Sequence, residues 1–480
     1  MSIGNWDPAK LVLVVDLDET LIRTDSLFEN FWSACSAKWD TPVAAALALP
    51  RGPLALKERL AAIKTLDPAR LPYNEDVLDL IRGWRGRGGR TALVTASIQA
   101  TADSVAGHLG LFNEAYGSSD GINLKGSNKA RFLEEKFGAA GYAYIGDAPA
   151  DLPVWELASG AVTVNPSKTF RSRVDSLGKE TTHLPATSPG ARDFLRTLRP
   201  HQWLKNLLIF APILAAHQLT RPALLQSLLA FIAFSLVASS TYVLNDLLDL
   251  AADRAHPRKQ HRPFASGIVK VSHGTWMAPA LGLLGAGAAL LSGPKLVAML
   301  LAYFALTTAY SFWLKRMVMI DICVLAILYT MRILAGSVAT STPISMWLLA
   351  FSTFFFFSLA SVKRQAELVD GVASGATKAH GRGYHVDDLS IVSTLAIASG
   401  MVSVLVLALY ANSEPVRRLY NAPEVLWGMC LILLFWNSRV AILTHRGQMH
   451  DDPVVFAARD RVSHVCILGV GAMALAGIWL

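Results

Sequence analysis

The stretch "YVLNDLLDLAADRAHPRKQHRPFASG", residues 242 to 267, begins as the end of an apolar helix and then fills with acid and base. Asp246, Asp249 and Asp253 stand at i, i+3 and i+7, so on a helix they share one face about 60° wide. Asn245 lies one position aside, and Pro257 ends the run. Three carboxylates on one stripe repel each other, and a divalent cation accounts for them better than a solvated polar face does. Mg²⁺ favours carboxylates plus substrate phosphates, so the expected partner is a diphosphate. Lys259 and Arg262 then supply positive charge for phosphate oxygens.

Outward from this stretch the chain divides. It has 480 residues, 52% of them hydrophobic and 17% charged, but that mean conceals two compositions. Residues 1–190 read as a soluble domain of short apolar runs and Gly/Pro/Asp turns, and 191–203 as a linker. Residues 204–480 read as a membrane domain, because apolar segments of bilayer-spanning length recur there. Nine spans are expected, near 204–220, 224–245, 275–293, 296–313, 318–339, 344–362, 389–411, 424–442 and 463–480. With the N-terminus in the cytoplasm, the basic residues concentrate in the cytoplasmic connections, while the opposite loops carry Arg221, Lys295, Arg417 and Arg418. That alternation places the C-terminus outside a bacterial inner membrane. The net charge of +8 is thereby assigned to a membrane surface and not to nucleic acid.

"LVLVV" (11–15) is too short for a signal-peptide core, and Cys35, Cys323, Cys430 and Cys466 are scattered. A reducing cytoplasm is expected for the soluble domain. His217 and His273 read as loop residues, and Trp276, Trp313 and Trp347 as interfacial anchors. "HVDD" (385–388) and "MHDD" (449–452) read as helix caps or solvated loops. A homo-oligomer is compatible with the sequence.

In the soluble half, "LVLVVDLDETL" is a buried strand that stops at two aspartates, which places both at the C-terminal edge of a parallel sheet. "RTALVTAS" is a second strand reaching Thr95, and "YAYIGDAPAD" a third with Asp147 at its end and Asp151 four residues on. "KGSNKARFLEEKFG" brings Lys129 to a helix start, with Lys125 as the alternative. Together these resemble the four motifs of the haloacid dehalogenase (HAD) phosphohydrolases, over roughly residues 8–190. The resemblance implies an α/β Rossmann-like domain with a helical cap at about 25–88. It makes Asp16 the nucleophile, Asp18 the general acid/base, and Thr95 and Lys129 phosphate-binding residues. Mg²⁺ is then held by Asp16, the Asp18 carbonyl and Asp147, with Asp151 orienting ligands. A catalytically dead scaffold is the alternative.

The pattern NDxxDxxxDxxHPxKxxRP, complete from Asn245 to Pro263, resembles the UbiA superfamily of intramembrane prenyltransferases. That implies an all-α membrane domain of nine helices, with a second Mg²⁺ held by Asp246, Asp249 and Asp253. Members usually carry a further acidic motif after the sixth helix. Here "SVKRQAELVDG" offers Glu367 and Asp370 behind Lys363 and Arg364, which tells against transfer to an aromatic acceptor. "LRPHQWLKNLLIFAP" (198–212), residues 310–339 and "KRQAEL" (363–368) resemble the decaprenyl-phosphate phosphoribosyltransferase branch. The implied substrates are phosphoribosyl pyrophosphate (PRPP) and a polyprenyl phosphate. Asn245, Lys205, Lys259, Arg262, Lys315, Lys363 and Arg364 are candidate substrate contacts, as are Asp321 and Arg332, two ionisable residues inside a span. These last two are eleven residues apart, about 16 Å along a helix axis, too far for a direct pair. The rival functions are a quinone-type aromatic prenyltransferase with an unrelated hydrolase attached, and a lipid-phosphate binding protein or transporter.

Overall fold

A computed structural model of the chain describes residues 6–119, 121–185, 188–375, 382–449 and 452–480, the side chain of Pro415 excepted. The chain forms two compact units, Met1–Leu198 with Tyr242–Ala278, and Arg199–Thr241 with Pro279–Leu480. The acidic stretch thus belongs to the first unit, whereas the sequence reading grouped it with everything after residue 204.

Six parallel strands form the sheet of the first unit. They are β1 (Val12–Val15), β2 (Arg90–Ile98), β3 (Glu114–Ser118), β4 (Tyr142–Gly146), β5 (Gly160–Thr163) and β6 (Glu180–His183), in the order β3-β2-β1-β4-β5-β6. Strand β1 is apolar throughout because both its faces are covered. Leu13 and Val15 pack into one core with Leu93, Ile145 and Trp84. Val12 and Val14 pack into the other with Ala92, Tyr144 and Trp155. The strand order reverses at β1 and β4, where Val15 lies beside Ile145. Asp16 and Asp147 therefore leave neighbouring strand ends at the topological switch point, the usual ligand crevice of such sheets.

Three helices, Ser26–Ala37, Thr41–Ala48 and Pro53–Ile63, follow the first strand and share a small core of Ala34, Ala45, Ala48, Leu56 and Leu60. The cap was expected to run to about residue 88, but the helix Glu75–Gly86 packs Val77, Ile81 and Trp84 into the sheet core instead. Its apolar positions fall on one face, which the sheet buries. The separate helical layer therefore ends near Ile63.

The structure has seven helices long and apolar enough to cross a membrane among the described residues: Arg221–Leu248, Pro294–Phe312, Ile320–Thr340, Met346–Ala373, Val386–Ala411, Pro423–His445 and Arg461–Trp479. The other two expected spans differ. Residues 204–220 contain the end of a 3₁₀ stretch, Pro200–Phe210, and a short helix, Ala211–Ala215, because Pro212 interrupts regular hydrogen bonding. Residues 275–293 lie mostly in the helix Val271–Leu290, whose Pro279 and several glycines dilute its apolar character. Length and apolarity alone support seven spans, two fewer than the alternation of loop charge suggests. Leu301, Leu431 and Leu468 are exposed on these helices, as lipid-facing residues would be.

A glycine permits one close approach in the second unit. A Cβ on Gly336 would stand 1.9 Å from the carbonyl oxygen of Ile209, so only glycine lets the helix Ile320–Thr340 approach the Pro200–Phe210 stretch. That approach fixes the position of Lys205.

Candidate active sites

At the switch point of the sheet, Lys129 lies beneath a group of carboxylates. Its ammonium stands 2.9 Å from Asp16 Oδ1 and 3.8 Å from Asp151 Oδ1, and it donates to the Tyr144 hydroxyl at 2.8 Å. Tyr144 donates to Asp151 Oδ1 at 3.0 Å, while the Ala148 peptide N–H holds the other oxygen at 3.2 Å. Thr20 donates to Asp147 at 3.3 Å. Asp18 is oriented from two sides, by the Ser26 peptide N–H at 2.7 Å and the Ser97 hydroxyl at 3.2 Å. Thr95 is fully buried, and its hydroxyl accepts from the Ser97 N–H. Lys125 is exposed.

A single buried cation does not neutralise this group. Burial pushes the Asp16 carboxyl up to about 7 against the pull of Lys129, with Asp151 and Asp18 adding to the rise. Burial, then Asp16 and Glu19, pushes Asp147 up to about 9. Burial acts to lower the Lys129 ammonium, but Asp16 and Asp151 outweigh it and raise its pKa. Carboxylate oxygens of Asp16, Asp147 and Asp151 lie within 4.8 Å of one another, close enough to share one metal ion. The donor set is all oxygen and short of positive charge, which fits a hard divalent cation. The sequence assigns Asp151 to orienting ligands; its carboxylate lies within this group and also meets Lys129, Tyr144 and the Ala148 N–H.

The acidic stretch is built differently. Its three aspartates were expected on one unbroken helix, but the helix Arg221–Leu248 stops and a short one, Leu250–Ala255, begins after Asp249. Asp249 leaves helical angles (φ −98°, ψ 12°), although its N–H still reaches the Asn245 carbonyl and its own carbonyl accepts from Asp253. Asp246 and Asp253 are buried. Their carboxylates converge on one Arg262 nitrogen, at 3.0 and 2.6 Å. Burial raises the Asp253 carboxyl, with Arg262 opposing. A point that accommodates a guanidinium nitrogen between two carboxylates also suits a metal cation. Asn245 and Asp249 are half-buried, and Lys259 is exposed on the short turn Lys259–His261.

The second unit gathers a basic cluster that the sequence reading saw only in part. Lys205 and Lys363 both contact Asp452 Oδ2, at 2.7 and 3.1 Å, and the Tyr329 hydroxyl donates to Asp452 Oδ1 at 3.0 Å. Burial raises the Asp452 carboxyl, but the two ammonium groups more than reverse it and hold the group below the usual carboxylate range. From the sequence, Asp452 reads as a cap or loop residue. It does cap the short helix Pro453–Ala457, accepting from the Val454 N–H. Of its "MHDD" neighbours, His450 and Asp451 lie outside the described residues.

Asp321 and Arg364, both expected as substrate contacts, lie in the interior of the second unit. Both are fully buried and pair with each other at 2.8 Å, and the Tyr384 hydroxyl donates to Asp321 at 2.6 Å. Arg332 donates to Asn206 at 2.8 Å and to the Tyr303 hydroxyl at 3.0 Å, so it clamps helices together. As the spacing suggested, Asp321 and Arg332 find different partners. Lys315 is half-buried in the short turn Leu314–Arg316.

Comparison with known proteins agrees with both halves. The UbiA prenyltransferase family matches residues 206–371, and the haloacid dehalogenase-like hydrolases match residues 13–156. The decaprenyl-phosphate phosphoribosyltransferase of Mycolicibacterium smegmatis is 32% identical over 289 residues, covering 57% of this chain and 88% of that one. The chain belongs to the UbiA prenyltransferase family and carries a HAD-like hydrolase domain. An uncharacterised protein of Sinorhizobium fredii, y4nM, is 41% identical across 95% of this chain and 88% of its own. The nodulation protein NoeC of Azorhizobium caulinodans is 40% identical over 58% of this chain and 90% of its own.

Two further features of the UbiA domain bear on its chemistry. Where a second acidic motif would stand, Glu367 contacts Arg364 and lies 3.7 Å from Arg382. Its carboxylate is committed to arginines. A cavity of about 1120 Å³ is walled by apolar side chains, among them Leu204, Leu208, Leu359, Pro453 and Val454. Leu204 and Pro453 are the chain neighbours of Lys205 and Asp452, so the cavity is walled by the same stretches of chain that carry the basic cluster.

Proposed function

We propose that this chain is a bifunctional membrane enzyme. Its UbiA domain transfers 5-phosphoribosyl from PRPP to a polyprenyl phosphate and releases pyrophosphate. Its hydrolase domain then removes the 5-phosphate from the lipid product. The observation that carries the reading is the pair of lysines on Asp452 beside an apolar cavity, a combination suited to a lipid phosphate and its chain. The likeness to a decaprenyl-phosphate phosphoribosyltransferase supports it. The commitment of Glu367 to two arginines argues against an aromatic prenyltransferase.

In the transfer step an oxygen of the lipid phosphate attacks C1 of the ribose as the bond from C1 to the pyrophosphate oxygen breaks. Lys205 and Lys363 hold the nucleophilic phosphate, with Asp452 keeping both ammonium groups in place. Asn245, Lys259 and Arg262 contact the donor's phosphates. Asp246, Asp249 and Asp253 would hold one Mg²⁺, and Asp16, Asp147 and the Asp18 carbonyl another, each supplying charge neutralisation for phosphoryl oxygens. In the hydrolase, Asp16 attacks phosphorus while Asp18 protonates the departing 5-oxygen. Asp18 then takes a proton from the water that cleaves the aspartyl-phosphate. Lys129 and Thr95 hold the phosphoryl group. The hydrolase domain and both sites lie on the cytoplasmic side of the inner membrane, with nine membrane segments and the C-terminus outside.

The test is mass spectrometry of lipids after incubating the purified full-length protein with PRPP, a polyprenyl phosphate and Mg²⁺. The expected product is a ribosyl phospholipid without its 5-phosphate, together with pyrophosphate and inorganic phosphate. Unconsumed PRPP, with prenylation of 4-hydroxybenzoate from an isoprenoid diphosphate, would overturn the reading.

A further inference from the structure

Within the first unit, the segment just after the acidic stretch is tied to the hydrolase fold. The Arg254 guanidinium, next in sequence to Asp253, meets Glu29 with two nitrogens, at 2.6 and 3.0 Å, and both side chains are buried. It also donates to the carbonyls of Arg70, at 3.1 Å, and Ala265, at 2.9 Å. Trp32 donates its indole N–H to Thr275 at 2.8 Å. Gly267 has φ +73°, and a Cβ there would stand 2.8 Å from Cβ of Arg23 and 3.3 Å from Cβ of Pro72. The Lys270 ammonium contacts the Glu19 carboxylate.

These contacts land on two working parts of the hydrolase. Glu29 and Trp32 lie on the first cap helix. Arg23 and Pro72 lie where the chain enters and leaves the cap, and there the Arg23 N–H bonds the Pro72 carbonyl at 2.9 Å. Glu19 lies between Asp18 and Thr20 in the turn that follows the nucleophile, and its backbone is left-handed, φ +55°. A residue with a Cβ adopts that conformation only when its surroundings hold it. Two bonds do so, the Glu19 N–H to the Thr24 carbonyl at 3.0 Å and the side chain to Lys270. The turn in turn aims Asp18, and Thr20 at Asp147.

We propose that the segment from Arg254 to Thr275 is a working part of the hydrolase, with Lys270 a positioning residue that fixes the catalytic turn through Glu19. Arg254 fixes the cap in the same way through Glu29. The membrane enzyme's own motif thus runs directly into the support of the second active site, which links the two activities in one piece of chain. The inference rests on the proposed phosphatase reading.

Full-length protein with Lys270→Ala, assayed on p-nitrophenyl phosphate with Mg²⁺, should lose about tenfold in kcat with KM held within about twofold, because the turn is displaced and not the binding groups. Its thermal unfolding should match the unaltered protein, since Lys270 is half exposed. Lys270→Arg should keep the rate, and Lys270→Glu combined with Glu19→Lys should recover most of it. Amide exchange at Glu19 and Leu21 should accelerate in Lys270→Ala. An unchanged rate and unchanged exchange overturn the proposal, as does an equal loss in Lys270→Arg. If the unaltered protein hydrolyses no ester, the phosphatase reading falls, and the exchange measurement alone still decides whether Lys270 holds the turn.

Discussion

In the hydrolase domain Asp16 and Asp147 leave the ends of two adjacent parallel strands, whereas Asp246 and Asp253 leave a helix that breaks between them at Asp249. The strands fix where the first pair of carboxylates goes, and one lysine leaves the group short of positive charge. In the acidic stretch Arg262 spans both carboxylates and supplies that charge from the same segment of chain. A cation therefore adds missing charge at the first site, while at the second it competes with an arginine. Rigidity with unmet charge suits covalent chemistry at a fixed phosphorus. Compensated carboxylates suit a diphosphate that arrives with its own cation and leaves again.

The largest expected effect separates the two sites outright. Asp16→Asn puts a poor nucleophile and weaker metal ligand at the strand end, so hydrolysis should fall by roughly 10³-fold or more. PRPP consumption should be unaffected, because the acidic stretch keeps its own carboxylates. The 5-phosphoribosyl lipid should then accumulate at the expense of its dephosphorylated form. An unchanged ratio of the two lipids by mass spectrometry would detach the hydrolase from this product and leave the transferase reading standing.

A smaller effect distinguishes two neighbours in one helix. Arg364 is fully buried against Asp321, so Arg364→Ala strands a buried carboxylate and should cost about 3 kcal/mol of stability, read as a lower unfolding midpoint. Lys363 is partly exposed and shares Asp452 with Lys205. Lys363→Ala should leave the midpoint near that of the unaltered protein and raise the KM for polyprenyl phosphate about tenfold at nearly constant kcat, as loss of a uniform phosphate contact does. Equal instability in both variants would remove Lys363 from the substrate site.

That pair also shows what the sequence could and could not disclose. "LVLVVDLDETL" and "YAYIGDAPAD" disclose their strands and the acids at their ends, because a buried parallel strand must be apolar and must stop where charge begins. Lys129 is legible as a helix-start lysine, yet its support by Tyr144 is not, since Tyr144 reads as one more core aromatic. Lys363 and Arg364 look equivalent in "KRQAEL", and only helix packing decides that one side chain is enclosed while the other reaches Asp452. Asp452 itself is separated from Lys205 by most of the membrane domain, so no local pattern could join them. The break at Asp249 escaped because the i, i+3, i+7 spacing survives in an interrupted helix. Arg254 and Lys270 read as charges in a basic loop, and their partners Glu29 and Glu19 lie more than two hundred residues away.

The smallest effect follows from the unmet charge at the strand ends. Asp16 and Asp147 retain protons in the folded protein up to about 7 and about 9, whereas unfolded carboxyls release theirs near pH 3.9. Between these limits the folded state binds more protons than the unfolded one, so in EDTA the hydrolase domain should lose stability as pH rises from about 4 toward 9. A divalent cation binds the ionised carboxylates and competes with those protons, which makes its stabilising effect grow with pH. Saturating Mg²⁺ should therefore raise the unfolding midpoint of this domain by a few degrees, about 3 °C, at pH 8 and by little at pH 5. Asp16→Asn should shrink the shift at pH 8, while Asp249→Asn, which touches only the acidic stretch, should leave it as it was. A shift of equal size at pH 5 and pH 8 would mean that the carboxylates at the strand ends are already ionised in the folded protein, and the contrast with the Arg262-compensated stretch would fail.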